Sequence, residues 1–269
     1  MERAEFNRLF PGVFTALNKA EVIEVFYQES TFQTSEKETM AHLQLKSGHA
    51  KALQQIHDSK HDVLLLHGAT GSGKTEIYLH LAQEALDQGK QVLVLVPEIS
   101  LTPQMVKRVE SRFGNEVAIY HSRLNDQEKY EQYQRVRKNE VKVVVGTRSA
   151  IFMPFKNLGL IVLDEEHDLS YKQDSLPRYH TRDVALWRSK YHQCKLILGS
   201  ATPSLESYAR AHKGVYELVE LLERINGQDL PKCHLIDTRK MLQSGDNHLL
   251  SKQLRQEIEN RLQKKQQVI

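Results

Sequence analysis

From Leu45 onward, short runs of valine, leucine and isoleucine alternate with longer stretches in which apolar residues recur every three or four positions. The uninterrupted apolar runs predict strands that are buried on both faces, and the longer stretches predict amphipathic helices. This alternation is typical of an α/β domain whose mainly parallel sheet carries helices on both faces. The predicted strands are "HDVLLLHG", "KQVLVLVPE", "EVAIYHS", "VKVVVGTRS", "LGLIVLDEE" and "CKLILGSAT". Because such sheets bind ligands at the carboxyl ends of their strands, motifs at these ends are the candidates for chemistry.

The two ends of the chain depart from this pattern. Residues 1–44 hold a short predicted helix and a β-rich run, which is too little to bury a core of their own. After Ser200, "VYELVELLERINGQDLP" is predicted to be a connector, and a polar helix is predicted over about 252–263. We therefore predict three segments: 1–44 as the tail of another domain, 45–222 as the main domain, and 223–269 as a connector leading into a further domain. On this prediction the sequence is a piece of a longer protein.

Composition excludes several classes of protein. Hydrophobic residues make up 40% of the 269 residues and charged residues 26%, as in soluble globular proteins, and no apolar run is long enough to cross a membrane. The N-terminus lacks the apolar core of a signal peptide, so we expect a cytoplasmic location. The net charge is only +3, so any nucleic-acid surface must be a local patch. Two cysteines, Cys194 and Cys233, cannot form a disulfide scaffold or a complete zinc site. Trp187 lies on an amphipathic helix and is expected in the core.

The stretch "GATGSGKT" fits the phosphate-loop pattern G-x-x-x-x-G-K-[ST] and lies between a predicted strand and a predicted helix. In such loops glycines let backbone N–H groups surround phosphates, and the helix N-terminus adds a favourable potential. Lys74 is expected to reach the β- and γ-phosphates, and the Thr75 hydroxyl to bind Mg²⁺. A glycine-rich turn without a ligand is the alternative, which the register of strand, loop and helix disfavours. The predicted nucleotide-binding residues are Gly68, Thr70, Gly71, Ser72, Gly73, Lys74 and Thr75.

Acidic residues follow directly after the predicted strand "LGLIVL". Asp164 ends that strand downstream of the phosphate loop, where a carboxylate can hold the metal ion, and Glu165 can orient or deprotonate an attacking water. A solvated acidic turn is the alternative, and the preceding phosphate loop weighs against it. The stretch "GSATP" ends another strand, and Ser200 or Thr202 could hydrogen-bond the acidic cluster and sense its state. By itself that stretch is weak evidence, since Ser-Ala-Thr also caps helices.

The order of these motifs resembles the first motor lobe of superfamily 2 helicases. The stretches "HGATGSGKTEIYL", "LVPEISLTPQ", "YHSRLNDQEKY", "GTRSAIFMPFKNLGLIVLDEEHDLSYKQ" and "LGSATPSLES" narrow the resemblance to the PriA family of replication-restart helicases. This resemblance implies a RecA-like P-loop motor lobe of an ATP-dependent 3′-to-5′ DNA helicase that acts at stalled forks, with ATP and Mg²⁺ as cofactors. It implies Lys74, Asp164, Glu165 and His167 as catalytic residues. It also implies that residues 1–44 are the tail of a winged-helix domain.

The resemblance assigns further residues to DNA. After the acidic box the family has an aromatic-rich loop that links DNA contact to ATP hydrolysis, and here its tyrosines could stack on bases while its cations meet phosphates. An ordinary exposed loop is the alternative. The segments "PEISLTPQ" and "GTRS" are expected to contact the DNA backbone, although Thr102 also suits a helix N-cap before proline. The expected contacts are Ser100, Thr102, Thr147, Arg148, Tyr171, Lys172, Arg178, Tyr179 and Arg182.

One position departs from the family. The glutamine that can recognise adenine is replaced by His49 in "LKSGHAKA", which puts adenine selectivity in doubt. The family implies zinc only in a second motor lobe beyond this sequence, and this lobe alone is expected to turn ATP over slowly. Expected partners are forked or single-stranded DNA, primosome proteins and single-strand-binding proteins, with a monomeric chain and no membrane. The alternatives are a motor lobe of another superfamily 2 translocase or RNA helicase, or a DNA-binding scaffold gated by ATP.

Overall fold

The computed structural model describes residues 19, 47–98, 103–221, 234–237, 239 and 248–268. The chain divides into two compact units, residues 1–223 and residues 224–269. The segment predicted to be a winged-helix tail lies outside the described residues, apart from Lys19, so that prediction and the three-segment division stay predictions.

The first unit alternates strands and helices in the predicted order. Its strands are β1 (Val63–Gly68), β2 (Gln91–Leu95), β3 (Val117–Tyr120), β4 (Val143–Gly146), β5 (Leu158–Leu163), β6 (Lys172–Gln173), β7 (Tyr179–His180), β8 (Lys195–Ser200) and β9 (Glu217–Leu221). Its helices are α1 (Ser47–Asp58), α2 (Lys74–Asp87), α3 (Pro103–Phe113), α4 (Asp126–Arg137), α5 (Thr181–His192) and α6 (Leu205–His212). Short 3₁₀ helices cover Gly114–Glu116, Arg148–Phe152 and Leu169–Tyr171.

Seven strands form one parallel sheet in the order β3-β4-β2-β5-β8-β1-β9, and β6 and β7 form a separate antiparallel hairpin. The predicted α/β fold with a mainly parallel sheet is therefore confirmed. The three strands β5, β8 and β1 are neighbours near the middle of the sheet. Because they run parallel, the segments that follow them meet at one edge.

The core consists of two apolar layers, one on each face of the sheet. Leu64 and Leu66 of β1 belong to the layer that contains Ile77 of α2, whereas Leu65 belongs to the layer that contains Ala185 of α5. Successive side chains of a strand point to opposite faces, so a run of leucines fills both layers at once. This is why the central strands are apolar without interruption.

Two expectations about the first unit were wrong. The stretch predicted as a connector contains β9, which pairs in parallel with β1 and forms the edge of the sheet. Its mixed sequence "ELVEL" reflects that edge position, where only part of the strand is buried. Trp187 is not in the core: 64% of it is exposed, and its indole stacks on Tyr191 with ring centroids 5.2 Å apart.

In the second unit, α7 (Lys252–Gln263) forms where a polar helix is predicted. The Ser251 side chain caps it by accepting a hydrogen bond from the backbone N–H of Leu254. Across the part of the chain that the structure describes, no helix is long and apolar enough to span a membrane.

Candidate nucleotide-binding site

Three sequence motifs meet at the carboxyl edge of the sheet. The phosphate loop follows β1, Ser200 ends β8, and Asp164 follows β5. The register aligns His67 of β1 with Ser200 and Leu163 of β5 with Leu198 of β8. The parallel sheet thus brings together residues that lie far apart in the sequence.

The phosphate loop has the backbone conformation that its glycines allow. Gly71 and Gly73 have φ angles of 81° and 90°, in the left-handed region where glycine is favoured. The turn closes through a hydrogen bond from Ser72 N to Ala69 O at 3.0 Å, and α2 begins at Lys74. The Lys74 Nζ donates to Gly68 O at 2.8 Å, which holds the ammonium group inside the loop.

His49 supports this loop from α1. Its Nε2 lies 2.8 Å from Ser72 O, and its side chain is buried. The imidazole at the position where the family has glutamine therefore contacts the main chain of the phosphate loop. Local sequence could not reveal this contact, because the two residues are 23 positions apart.

Asp164 forms hydrogen bonds through both its main chain and its side chain. Its N–H donates to Leu95 O at 2.9 Å, its Oδ1 accepts from the Tyr78 hydroxyl at 3.0 Å, and its carbonyl accepts from the Tyr171 hydroxyl at 2.6 Å. Burial, together with the negative charge of Glu165, raises the pKa of the Asp164 carboxyl. Glu165 itself has a φ of 46°, an uncommon conformation for a residue with a side chain.

His167 connects the acidic segment to the end of β8. Its Nδ1 lies 2.7 Å from Ser200 Oγ and 3.7 Å from Glu165 Oε2, and its Nε2 lies 3.4 Å from Thr202 Oγ1. Ser200 Oγ also accepts from the backbone N–H of Thr202 at 3.0 Å. The two hydroxyls predicted to couple with the acidic cluster therefore contact it through the histidine.

Glu166 is buried, whereas the side chains of its neighbours Glu165 and His167 are 33% and 37% exposed. Its carboxylate accepts from Ser204 N at 2.6 Å and from Ser207 Oγ at 2.9 Å, and Arg182 Nη1 lies 3.4 Å away. The Arg182 guanidinium also donates to both serine hydroxyls and is only 14% exposed. The predicted contact of Arg182 with a DNA phosphate is therefore wrong for this structure, because its charge is already engaged by a buried carboxylate.

The aromatic-rich loop contains the β6-β7 hairpin, and its two tyrosines differ in how deeply they are buried. Tyr171 is fully buried, so a base-stacking role for it is wrong. Its main-chain carbonyl accepts from the Thr181 hydroxyl at 2.9 Å, which ties the start of the loop to the start of α5. Tyr179 is partly exposed and meets the half-exposed ring of Phe152 edge to face at 5.0 Å.

The cations of this loop have different surroundings. Lys172 is exposed and pairs with Asp174 Oδ1 at 3.0 Å, and Arg178 is exposed and donates to the Asp174 carbonyl at 3.1 Å. Arg148 donates to the carbonyls of Ser170 and Lys172, at 3.1 and 2.6 Å. Arg148 thus binds the loop on both sides of Tyr171.

The remaining expected DNA contacts are less accessible or undescribed. Thr147 is buried, which removes its side chain from a surface that a DNA strand could reach. Ser100 and Thr102 lie outside the described residues. The helix after them begins at Pro103, in keeping with a proline in the first turn.

The donors at the carboxyl edge fit a nucleotide with Mg²⁺. Ser72 Oγ is buried and has no hydrogen-bond partner among the described residues, so a polar group is available in the loop. Mg²⁺ is usually held by one or two protein oxygens together with phosphates, and the Thr75 hydroxyl and the Asp164 carboxylate are donors of that kind. Within the described ranges, no cluster of three or more His, Cys, Asp or Glu residues could hold a metal ion alone.

Three residues of this region were missed from the sequence. Tyr78 and Phe152 lie in apolar stretches, where an aromatic residue is expected to be an ordinary core residue. Glu166 cannot be distinguished from Glu165 in "DEEH". Only the polar atom of Tyr78, four residues after Lys74 and therefore on the same side of α2, offered a signal.

The fold and the site define the class: a RecA-like motor lobe with a phosphate loop after β1 and an acidic box after β5, on either side of β8. The model of the DEAD/DEAH box helicase family matches residues 46–211, more than half of the chain, so the chain belongs to this family. Membership implies the use of ATP with Mg²⁺.

Among its relatives, the replication restart protein PriA of Bacillus subtilis is 47% identical over 243 residues, which are 90% of this chain and 30% of that protein. PriA of Synechocystis is 49% identical over 77% of this chain and 25% of its own length. The resemblance to the PriA family is therefore confirmed, and the chain spans a third or less of these two relatives.

Proposed function

We propose that the chain is the ATP-binding lobe of a 3′-to-5′ DNA helicase that acts in replication restart. The observation that carries the proposal is the meeting of Lys74, Asp164 and Ser200 at three adjacent strand ends. The similarity to PriA over 90% of the chain supports the restart role.

The loop residues are proposed to bind the phosphates of ATP. The left-handed glycines let backbone N–H groups turn inward, and Lys74 can exchange its bond with Gly68 O for a phosphate oxygen. Gly68 is also required for space, because a Cβ there would lie 2.6 Å from Ser72 Oγ and 2.8 Å from Leu221 Cβ. The residues proposed to line this part of the site are Gly68, Thr70, Gly71, Ser72, Gly73, Lys74 and Thr75.

The acidic box is proposed to carry out the hydrolytic chemistry. Thr75 and Asp164 would hold Mg²⁺, which neutralises charge on the phosphates. Glu165 would orient or deprotonate the attacking water, since its side chain is partly exposed beside the metal carboxylate. His167 is proposed to relay the state of this box to Ser200 and Thr202, because it contacts Glu165 on one side and both hydroxyls on the other.

Single-stranded DNA is proposed to lie along the exposed parts of the aromatic-rich loop. Tyr179 offers a stacking surface, and Lys172 and Arg178 offer charges that can meet phosphates. Arg148 supports coupling, because it binds the carbonyls on both sides of Tyr171, whose hydroxyl binds the Asp164 carbonyl. Displacement of Arg148 by DNA would therefore be transmitted to Asp164 through two contacts: from Arg148 to the carbonyls beside Tyr171, and from the Tyr171 hydroxyl to the Asp164 carbonyl.

Other features of the longer relatives are proposed by resemblance alone. These are unwinding with 3′-to-5′ polarity, contacts with primosome and single-strand-binding proteins, a monomeric state and a zinc site outside this sequence. Unwinding is tested with forked substrates that carry only a 3′ or only a 5′ single-stranded tail, in a longer protein that contains this lobe. Equal unwinding of both substrates would reject the polarity.

The nucleotide part of the proposal is tested by titrating the chain with a fluorescent ATP analogue and Mg²⁺. Lys74→Ala is expected to weaken binding at least about tenfold, since a hydrogen bond from a charged donor contributes about 1.5–3 kcal/mol. Binding that is absent in the wild-type chain, or that does not depend on Lys74, would reject the assigned site.

The DNA part is tested by titrating labelled single-stranded DNA with the Lys172→Ala/Arg178→Ala variant at several salt concentrations. Loss of two phosphate contacts should weaken binding and make its salt dependence shallower. Lys138→Ala is the control, because this exposed lysine lies between α4 and the start of β4, whereas the aromatic-rich loop follows the end of β5. Equal effects of both variants would refute the assigned DNA surface.

A further inference from the structure

Tyr78 is a buried tyrosine whose hydroxyl faces the acidic box. It lies on α2, one turn after Lys74, and only 1% of it is exposed. A buried phenol needs a hydrogen-bond partner, and its partner is Asp164 Oδ1 at 3.0 Å. Because a carboxylate oxygen can only accept a hydrogen bond, the phenol is the donor in this contact.

Gly199 of β8 provides the space for this hydroxyl. A Cβ at this position would lie 1.6 Å from the Tyr78 hydroxyl oxygen, 2.7 Å from Tyr78 Cζ and 3.4 Å from Asp164 Oδ1. Its φ lies outside the left-handed region, so the backbone does not require glycine. Glycine is needed at this position because a side chain would occupy the space in which Tyr78 contacts Asp164.

The main chain of Asp164 is fixed independently of this contact. Its N–H and its carbonyl are bound to Leu95 and Tyr171, so only the torsion of the side chain remains to be set. The tyrosine acts on that torsion by binding one carboxylate oxygen. Because the phenol is neutral, it orients the carboxylate without cancelling the charge that attracts a cation.

We propose that Tyr78 is a positioning residue for the Mg²⁺ carboxylate, and that Gly199 is required because it leaves room for the tyrosine hydroxyl. This rests on the proposed function, in which Asp164 holds Mg²⁺. A carboxylate with one oxygen bound by a hydroxyl keeps its other oxygen for the metal ion. Partners of this kind orient metal ligands, and their removal typically costs about 10–100-fold in metal affinity or activity.

The test uses Tyr78→Phe, which removes only the hydroxyl and keeps the ring that fills the core. Binding of a fluorescent ATP analogue is measured in EDTA and across a Mg²⁺ titration. The Mg²⁺ concentration for half-maximal effect should rise about tenfold, while binding in EDTA, which depends on Lys74, should be unchanged. Tyr216→Phe is the matched control: its hydroxyl is bound to Arg210 rather than to the acidic box, its ring is also buried, and it should leave the Mg²⁺ titration unaltered.

A second variant separates positioning from a simple loss of folding. Gly199→Ala should raise the Mg²⁺ requirement further than Tyr78→Phe does, because the added methyl group displaces the hydroxyl and crowds the carboxylate. In the Tyr78→Phe background, Gly199→Ala should raise the Mg²⁺ requirement by a smaller factor. The reason is that the hydroxyl oxygen, which would lie 1.6 Å from the added methyl group, is then absent. Circular dichroism spectra and thermal midpoints of all variants check that the fold is retained.

The outcomes are distinguishable. A wild-type Mg²⁺ titration for Tyr78→Phe, or equal effects of Gly199→Ala in both backgrounds, would overturn the positioning role while leaving the proposed function intact. If Asp164→Asn does not alter the Mg²⁺ titration, Asp164 is not the metal carboxylate, and both the proposed function and this inference fail. A raised Mg²⁺ requirement with unchanged binding in EDTA supports the inference.

Discussion

The buried pair between Glu166 and Arg182 makes a sharp prediction about stability. In Glu166→Gln the carboxylate charge is lost while the Arg182 guanidinium stays mostly buried. Breaking one side of a buried ion pair costs about 3–5 kcal/mol, and an amide oxygen that still accepts hydrogen bonds places this variant near the lower limit. We therefore expect the free energy of unfolding to fall by about 3 kcal/mol. For a unit of this size, that corresponds to a thermal midpoint lower by roughly 6–12 °C.

Glu165→Gln is the matched control for this change. It makes the same chemical substitution at the adjacent residue, whose side chain is 33% exposed and lies beside the partly exposed His167. We expect its free energy of unfolding to stay within about 0.5 kcal/mol of wild type. The loss in the free energy of unfolding should thus differ several-fold between the two variants, although both replace a glutamate by a glutamine.

The assay is urea unfolding followed by far-UV circular dichroism and by the fluorescence of Trp187. This residue is the single tryptophan of the chain and lies on α5, the helix that carries Arg182. Free energies are obtained by linear extrapolation, with the slope compared between variants. Equal losses in Glu166→Gln and Glu165→Gln would refute the buried pair. So would strict additivity in the Glu166→Gln/Arg182→Gln double variant, because residues in contact should show coupling.

Two further predictions concern the buried residues Arg188 and Cys194. In Arg188→Ala the main-chain carbonyls of Ile151 and Met153 lose their guanidinium donor. The free energy of unfolding should therefore fall by about 2–4 kcal/mol in the same urea assay. Lys190 is an exposed residue of the same helix, and an equal loss in Lys190→Ala would contradict this prediction. Burial raises the pKa of the Cys194 thiol from 9.0 to about 11. The thiol of the unfolded chain therefore loses its proton at a lower pH than the thiol of the folded chain. The stability that the protonated thiol contributes is fully present below pH 9 and is lost as the pH rises towards 11. That loss amounts to at most about 2.7 kcal/mol, and Cys194→Ala should remove it from urea titrations at pH 8 and 10.5; an unchanged pH dependence would show that another group causes it.

Features that depend on local spacing could be predicted from the sequence. The apolar strands, the amphipathic helices between them and the phosphate loop each span at most 14 consecutive residues. The position of Asp164 at a carboxyl strand end follows from the same pattern, because it ends an apolar run. A parallel sheet then brings such ends together whatever the details of packing.

Side-chain direction in the aromatic-rich loop could not be predicted in this way. Tyr171 and Tyr179 look alike in the sequence, yet one is buried against the Asp164 carbonyl and the other is partly exposed beside Phe152. The family resemblance implies that Arg182 contacts DNA, but in the structure its guanidinium pairs with a buried carboxylate. Composition indicates which chemistry is present, and it cannot indicate which way each group faces.

By itself, the sequence determined the fold class, the phosphate loop and the residues at the strand ends, because hydrophobic periodicity and motif spacing act over short distances along the chain. Only the tertiary structure decided that β9 joins the sheet, that Glu166 rather than Glu165 is buried, and that Tyr78 contacts Asp164 from 86 residues away. Such contacts depend on how separate elements pack. Their physical basis is the need of each buried polar group for a partner, wherever in the chain that partner lies.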